Sequence, residues 1–283
     1  MQGRLVAPVG GRIQCFPASD WRHEFPNAAA AGLARIEWIY ESFGVESNPI
    51  CTDEGVEEML RLSSEHGVEV KSLCADYFME KPLLRAAADD MEARLQTLAW
   101  LMGRCCRLGM ERVVLPFVDA SRIQDDGEMR GVANRLRRAL ITSEETSVEI
   151  HLETSLGPSD FSRMLEMVPH PLLKVNYDSG NSASLNYSVT EEFEAYGPRV
   201  GSVHIKDRVA GGGTVPLGEG DVDFEGLAAS LDGISYQGDL VLQVARGREG
   251  EEVEWARSNL RFVRSRALCP TPGQRDPDRG SHG

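Results

Sequence analysis

The sequence contains no apolar stretch near the ~20 residues that a membrane span requires, and its opening residues do not read as a signal peptide. It also lacks a basic stripe. Lys and Arg total 30 against 44 Asp and Glu, a formal net charge of -14, which excludes a general phosphate-binding surface and hence nucleic acid as a partner. Six cysteines (Cys15, Cys51, Cys74, Cys105, Cys106 and Cys269) show no CxxC pair, and the adjacent Cys105 and Cys106 are poor disulfide partners on a helical pattern, so reduced thiols in a cytoplasmic protein are expected. No Gly-rich phosphate fingerprint follows the first apolar run, which weakens a doubly wound open sheet as the structural alternative.

What the chain does have is alternation. Strand-like apolar runs fall at 2–6, 35–39, 68–75, 112–117, 148–154, 172–177, 199–205 and 239–244, and helical patterns with apolar residues at three and four lie at 53–65, 91–108, 128–141, 161–167, 224–231 and 251–263. Eight such units in 283 residues, 41% of them hydrophobic, predict an α/β fold with one core, a single (β/α)8 TIM barrel over residues 1–268. Asp53 and Ser159 read as helix N-caps, and Gly67 and Gly109 as left-handed C-terminal positions. The polar, Pro- and Gly-rich tail 269–283 is expected to be disordered, and the segment 209–220, with Gly211 to Gly213 inside it, is expected to be a mobile loop that covers substrate.

Polar residues close four of the apolar runs: Glu153, Asp178, His204 and Gln243. In a parallel barrel the carboxyl ends of the strands converge on one rim, so these four can meet as a shell for a divalent cation, with hard oxygen donors dominating. Hydrogen bonding among them without metal is the bland alternative, and Gln243 could instead pair with Asn181. Lys206 shares the inward face with His204 and suits a substrate oxygen or phosphate. His151, two residues before Glu153, points inward either to substrate or as a satisfied core histidine. Glu37 and Asp76 end the second and third runs as candidate substrate or structural groups. Arg208 is read as a substrate contact or as the partner of Asp207. Trp21 and Trp38 are explained by packing or by a pocket wall.

The opening Met1-Gln-Gly-Arg-Leu5, the Leu152-Glu-Thr154 triplet, Asp178-Ser-Gly-Asn181, His204-Ile-Lys-Asp207 and the run from Pro216 to Phe224 together resemble the sugar phosphate isomerase/epimerase family of xylose isomerase-like TIM barrels, over nearly the whole barrel. The resemblance implies that Glu153, Asp178 and His204 bind a divalent metal, with manganese favoured and magnesium, cobalt or zinc compatible. In the family's epimerases two glutamates act as acid and base, and Gln243 stands in place of the second. An amide can ligate but cannot exchange a proton near neutral pH, so the expectation is an isomerase or epimerase of a small sugar or sugar phosphate, working through an enediol(ate) with Glu153 as the base and Lys206 assisting. A lyase or dehydratase, or a noncatalytic sugar-binding descendant, are the alternatives. Asn181 replaces a histidine of the tagatose-type epimerases, and the six His of the chain are too few for the three-zinc apurinic endonucleases. A homo-oligomer is compatible with this scaffold. Several apolar residues usually precede the opening motif in that family, so Met1 is expected to be an internal methionine with Gln2 and Arg4 near substrate; a short first strand compensated by a loop or subunit is the alternative.

Overall fold

The computed structural model describes residues 1–268; the tail expected at 269–283 lies outside them. Parallel strands β1 (Arg35–Ile39), β2 (Glu69–Cys74), β3 (Arg112–Phe117), β4 (Glu149–Thr154), β5 (Leu173–Asp178), β6 (Val200–Ile205) and β9 (Leu240–Leu242) form one sheet in that order. Between β6 and β9 a short antiparallel pair, β7 (Asp207–Arg208) and β8 (Thr214–Val215), stands on the rim. The connections carry the helices α1 (Glu24–Ala31), α2 (Asp53–His66), α3 (Tyr77–Glu80), α4 (Ala88–Leu108), α5 (Asp126–Thr146), α6 (Pro158–Met167), α7 (Ser179–Ser184), α8 (Val189–Tyr196), α9 (Phe224–Gly233) and α10 (Glu252–Ser265). This is a single TIM barrel, and its strands are buried on both faces because helices cover the outside and side chains fill the inside.

The expected first strand at 2–6 is cut to its first residue. Gln2 bridges Glu37 in parallel and donates its amide to Leu242 O at 3.2 Å, while Glu37 N donates to Met1 O at 3.0 Å. One residue thus joins β1 to β9 and closes the sheet into a barrel. At Gly3 the chain leaves the sheet with φ +51, and a Cβ there would lie 2.4 Å from Ile39 Cδ1, so the positive φ and the close approach both call for glycine. Residues 3–13 are then pinned by Arg246, whose guanidinium donates to the carbonyls of Gly3, Val6 and Ile13.

Helix ends follow local chemistry, with two corrections. Gly67 and Gly109 are left-handed C-caps, but the N-cap of α2 is Thr52, which accepts from Gly55 N; Asp53 instead holds Arg104 and Arg107. Gly157, followed by Pro158, precedes α6, and Ser159 lies inside the helix. Trp21 and Trp38 pack edge to face at 5.8 Å, and Trp38 donates its indole N–H to Asn48, so packing accounts for both. No helix among the described residues is long and apolar enough to cross a membrane.

Candidate metal centre

Glu153, Asp178 and His204 lie at or next to the carboxyl ends of β4, β5 and β6, and strand pairing puts Asp178 directly opposite His204. One ligand atom from each lies within 4.8 Å of the others, and all three residues are buried. Each carboxylate is already oriented. Glu153 receives the side-chain amide of Asn181 on Oε1 at 2.7 Å and that of Asn176 on Oε2 at 2.9 Å. Asp178 caps α7 with Oδ1, accepting from Asn181 N, and turns Oδ2 to the Lys206 ammonium at 3.1 Å. Lys206 reaches that oxygen by running over Gly180, where a Cβ would stand 2.6 Å from its Cγ.

His204 has charge on both sides. Nδ1 is 3.3 Å from Glu153 Oε2 and 3.9 Å from Asp178 Oδ2, while Nε2 is 2.8 Å from Glu37 Oε1. Neither ring nitrogen is aligned for a hydrogen bond in this arrangement. Burial works against a charged imidazole, but the carboxylates of Glu37 and Glu153 override it and raise the His204 pKa to about 10. Burial likewise opposes ionised Glu37, yet His204 and the Ser72 hydroxyl bring it down to about 2.

The donor set fits a divalent cation. It offers two carboxylates and an imidazole with no thiolate, in a buried setting where Gln243 Oε1 and both nitrogens of His204 have no hydrogen-bond partner. Buried polar atoms are normally paired, and the unpaired Nδ1 of His204 faces the carboxylates of Glu153 and Asp178, as a ring that meets a cation between them would. Gln243 is buried, and the contact with Asn181 is absent: Asn181 spends its amide N–H on Glu153 and its oxygen on Arg208.

The remaining candidates divide between rim and floor. Arg4 is buried, donates to Gln2 and Gln14, and is lowered to about 10 by burial and by the neighbouring Arg246. Gln14 in turn donates to Asp76, whose pKa burial raises. Glu37, read from sequence as a rim residue, is completely buried against His204 and Ser72. His151 lies away from the ligand set, held between Ser202 Oγ and Glu149 Oε2 at 2.7 Å each, with its pKa lowered by burial; this is the satisfied core histidine. Asp207 does not pair with Arg208. Its carboxylate accepts from the amides of Gly218, Gly220 and Val222, and Gly211 N donates to Ser184 O, so the expected mobile loop is tied down at both ends.

Asn176, Gln14, Ser72 and Ser202 escaped the sequence reading. Asn176 was legible in principle, since it sits two residues before Asp178 on the same face of β5. Nothing in the sequence marks Gln14, which comes from an irregular segment.

Residues 25–266 match the family model for the xylose isomerase-like TIM barrel. An L-ribulose-5-phosphate 3-epimerase, UlaE, of Salmonella paratyphi C is 25% identical over 252 residues, covering 84% of this chain and 87% of its own. Among solved structures, D-psicose 3-epimerase from Clostridium cellulolyticum H10 with D-tagatose superposes with a TM-score of 0.72 at 16% identity, over 89% of this chain and 95% of that one. The IOLI protein with a bound zinc atom gives 0.69 at 15% identity, over 88% and 91%. At such identity these two structures speak for the fold alone.

Proposed function

The chain belongs to the xylose isomerase-like TIM barrel family, and on that premise we propose that it is an isomerase or epimerase of a small sugar or sugar phosphate, moving a carbon-bound proton through an enediol(ate). The observation that carries this reading is the convergence of Glu153, Asp178 and His204 within 4.8 Å on the barrel rim. Those three residues would hold a divalent cation, with Gln243 Oε1 as a further oxygen donor. A bound dication would polarise the substrate carbonyl and stabilise the negative charge that develops on its oxygen.

Glu153 is the base. Its carboxylate is held from two sides by the amides of Asn176 and Asn181, which fixes its direction without supplying a competing acid. Lys206, an ammonium donor to Asp178, would meet a substrate oxygen, and Arg208, which donates to Asn181, is a second candidate cation for substrate. Gln243 has no proton to exchange, so a one-base transfer between neighbouring carbons is favoured over inversion of one centre from two faces. The sugar epimerase relatives support sugar chemistry, while the amide at 243 argues for isomerisation as the faster outcome.

The test is solvent exchange. Purified protein with added manganese, incubated in D2O with ketoses and ketose 5-phosphates, should incorporate deuterium next to the carbonyl and yield an aldose. A panel without exchange, together with no uptake of divalent metal, would remove the reading.

A further inference from the structure

Glu37 is a carboxylate that substrate cannot reach. Its side chain and that of His204 are both completely buried, with Oε1 2.8 Å from His204 Nε2. Its other oxygen accepts from Ser72 Oγ at 2.7 Å. The sheet is adjusted to put it there: Ile36 pairs with Val70, but the register then slips so that Glu37 pairs with Ser72 and Lys71 is skipped. On its other side Glu37 is bridged by Gln2.

Burying an ionised carboxylate is costly unless a charge partner and hydrogen bonds compensate it. His204 and Ser72 compensate Glu37, and what the arrangement accomplishes follows from the two nitrogens of the ring. A neutral imidazole carries one proton, and the nitrogen that binds a metal must be bare. Nδ1 is the nitrogen that faces Glu153 and Asp178. A carboxylate at Nε2 holds the proton on the far side and leaves the Nδ1 lone pair for the cation.

We infer that Glu37 is a positioning residue for the metal centre, setting the tautomer and orientation of His204 so that it ligates through Nδ1. This rests on the metal reading above. Glu37 therefore touches neither substrate nor cation, and its loss acts through affinity for metal.

The full chain labelled with 15N-histidine and loaded with zinc should show His204 bare at Nδ1 and protonated at Nε2, with a slowly exchanging, downfield proton. Glu37→Gln should move that proton upfield and weaken zinc binding in a competition titration by about 10- to 100-fold, in protein whose circular dichroism shows the wild-type fold at the assay temperature. Ser72→Ala, which frees the carboxylate without removing it, should weaken binding less. Equal zinc affinity in wild type and Glu37→Gln, or a zinc-bound His204 protonated at Nδ1, would overturn the assignment with the metal centre intact. A wild-type chain that takes up no zinc removes the metal reading and the role of Glu37 with it.

Discussion

Asn181 donates its side-chain amide to Glu153 Oε1 at 2.7 Å while its own oxygen accepts from Arg208 at 2.9 Å. The same residue gives its backbone amide to Asp178, so Asn181 links the proposed base, a proposed metal ligand and the β7 arginine. Asn181→Ala should leave Glu153 oriented by Asn176 alone and lower the deuterium exchange rate by about 10-fold, as expected for the loss of one orienting hydrogen bond to a charged group. Asn181→Asp, which sets a carboxylate against Glu153, should cost more. Comparable rates in all three proteins would show that Asn181 orients nothing.

Glu153→Gln keeps an oxygen that could ligate and removes the carboxylate proposed as the base. Exchange of the carbon-bound proton should fall by about 10²- to 10⁴-fold, the usual range for a positioned general base, whereas metal should still bind. The two quantities are separable by mass spectrometry of the product and by metal titration of the protein. A Gln variant that exchanges at the wild-type rate assigns the proton transfer to another group.

The barrel and the convergence of Glu153, Asp178 and His204 were legible because they rest on periodicity. Apolar runs that end in Glu153, Asp178 and His204 report strand ends directly, and a parallel barrel collects strand ends on one rim. The first strand was misread because Leu5 and Val6 close a short stretch at the very start of the pattern of strand runs, while the exit at Gly3 depends on contact with Ile39, thirty-six positions away. Glu37 was placed on the rim for a similar reason: the register slip beside Lys71 is a property of the pair β1 and β2, invisible in either strand alone. Asp207 looked like an ion-pair partner of Arg208, but three backbone amides at 218, 220 and 222 claim it, and backbone donors leave no mark in a side-chain pattern.

Gln243→Glu restores a carboxylate at the end of β9, where Gln243 Oε1 is buried without a partner. A second proton carrier should create or increase epimerisation relative to isomerisation, read as the ratio of epimer to aldose by chromatography or NMR. If wild type already epimerises as readily as it isomerises, the inference drawn from the amide fails.

Asp239 secures the opposite end of the barrel. Its carboxylate bridges Arg35, at 2.5 Å, and the buried Arg112, tying the starts of β1 and β3 to the segment before β9. Both arginines and burial act on it, and the net effect holds Asp239 below the usual carboxylate range. Asp239→Asn leaves the Arg112 guanidinium buried with only the longer ion pair to Glu111 among the described residues and should cost about 3 kcal/mol, seen as a lower urea midpoint with an unchanged slope. A midpoint within error of wild type would show that Arg112 finds compensation elsewhere.

Glu24 should make the fold less stable as pH rises. Its carboxyl is buried, accepts from Leu5 N on one oxygen and has no partner on the other; burial raises its pKa from 4.5 to about 7, against the pull of the Leu5 amide and nearby cations. The folded state therefore binds its proton more tightly than the unfolded chain. The contribution is complete below pH ~4.5, is lost as pH climbs towards ~7, and is flat above, amounting to roughly 3 kcal/mol at most by linkage. Glu41, Asp76 and Glu192 are shifted the same way by burial, so the slope in wild type has several sources. Glu24→Gln should keep the acceptor for Leu5 N and remove one of them, flattening urea-derived stability between pH 5 and 7 relative to wild type. Parallel stability curves for the two proteins across that window would mean that Glu24 does not titrate there.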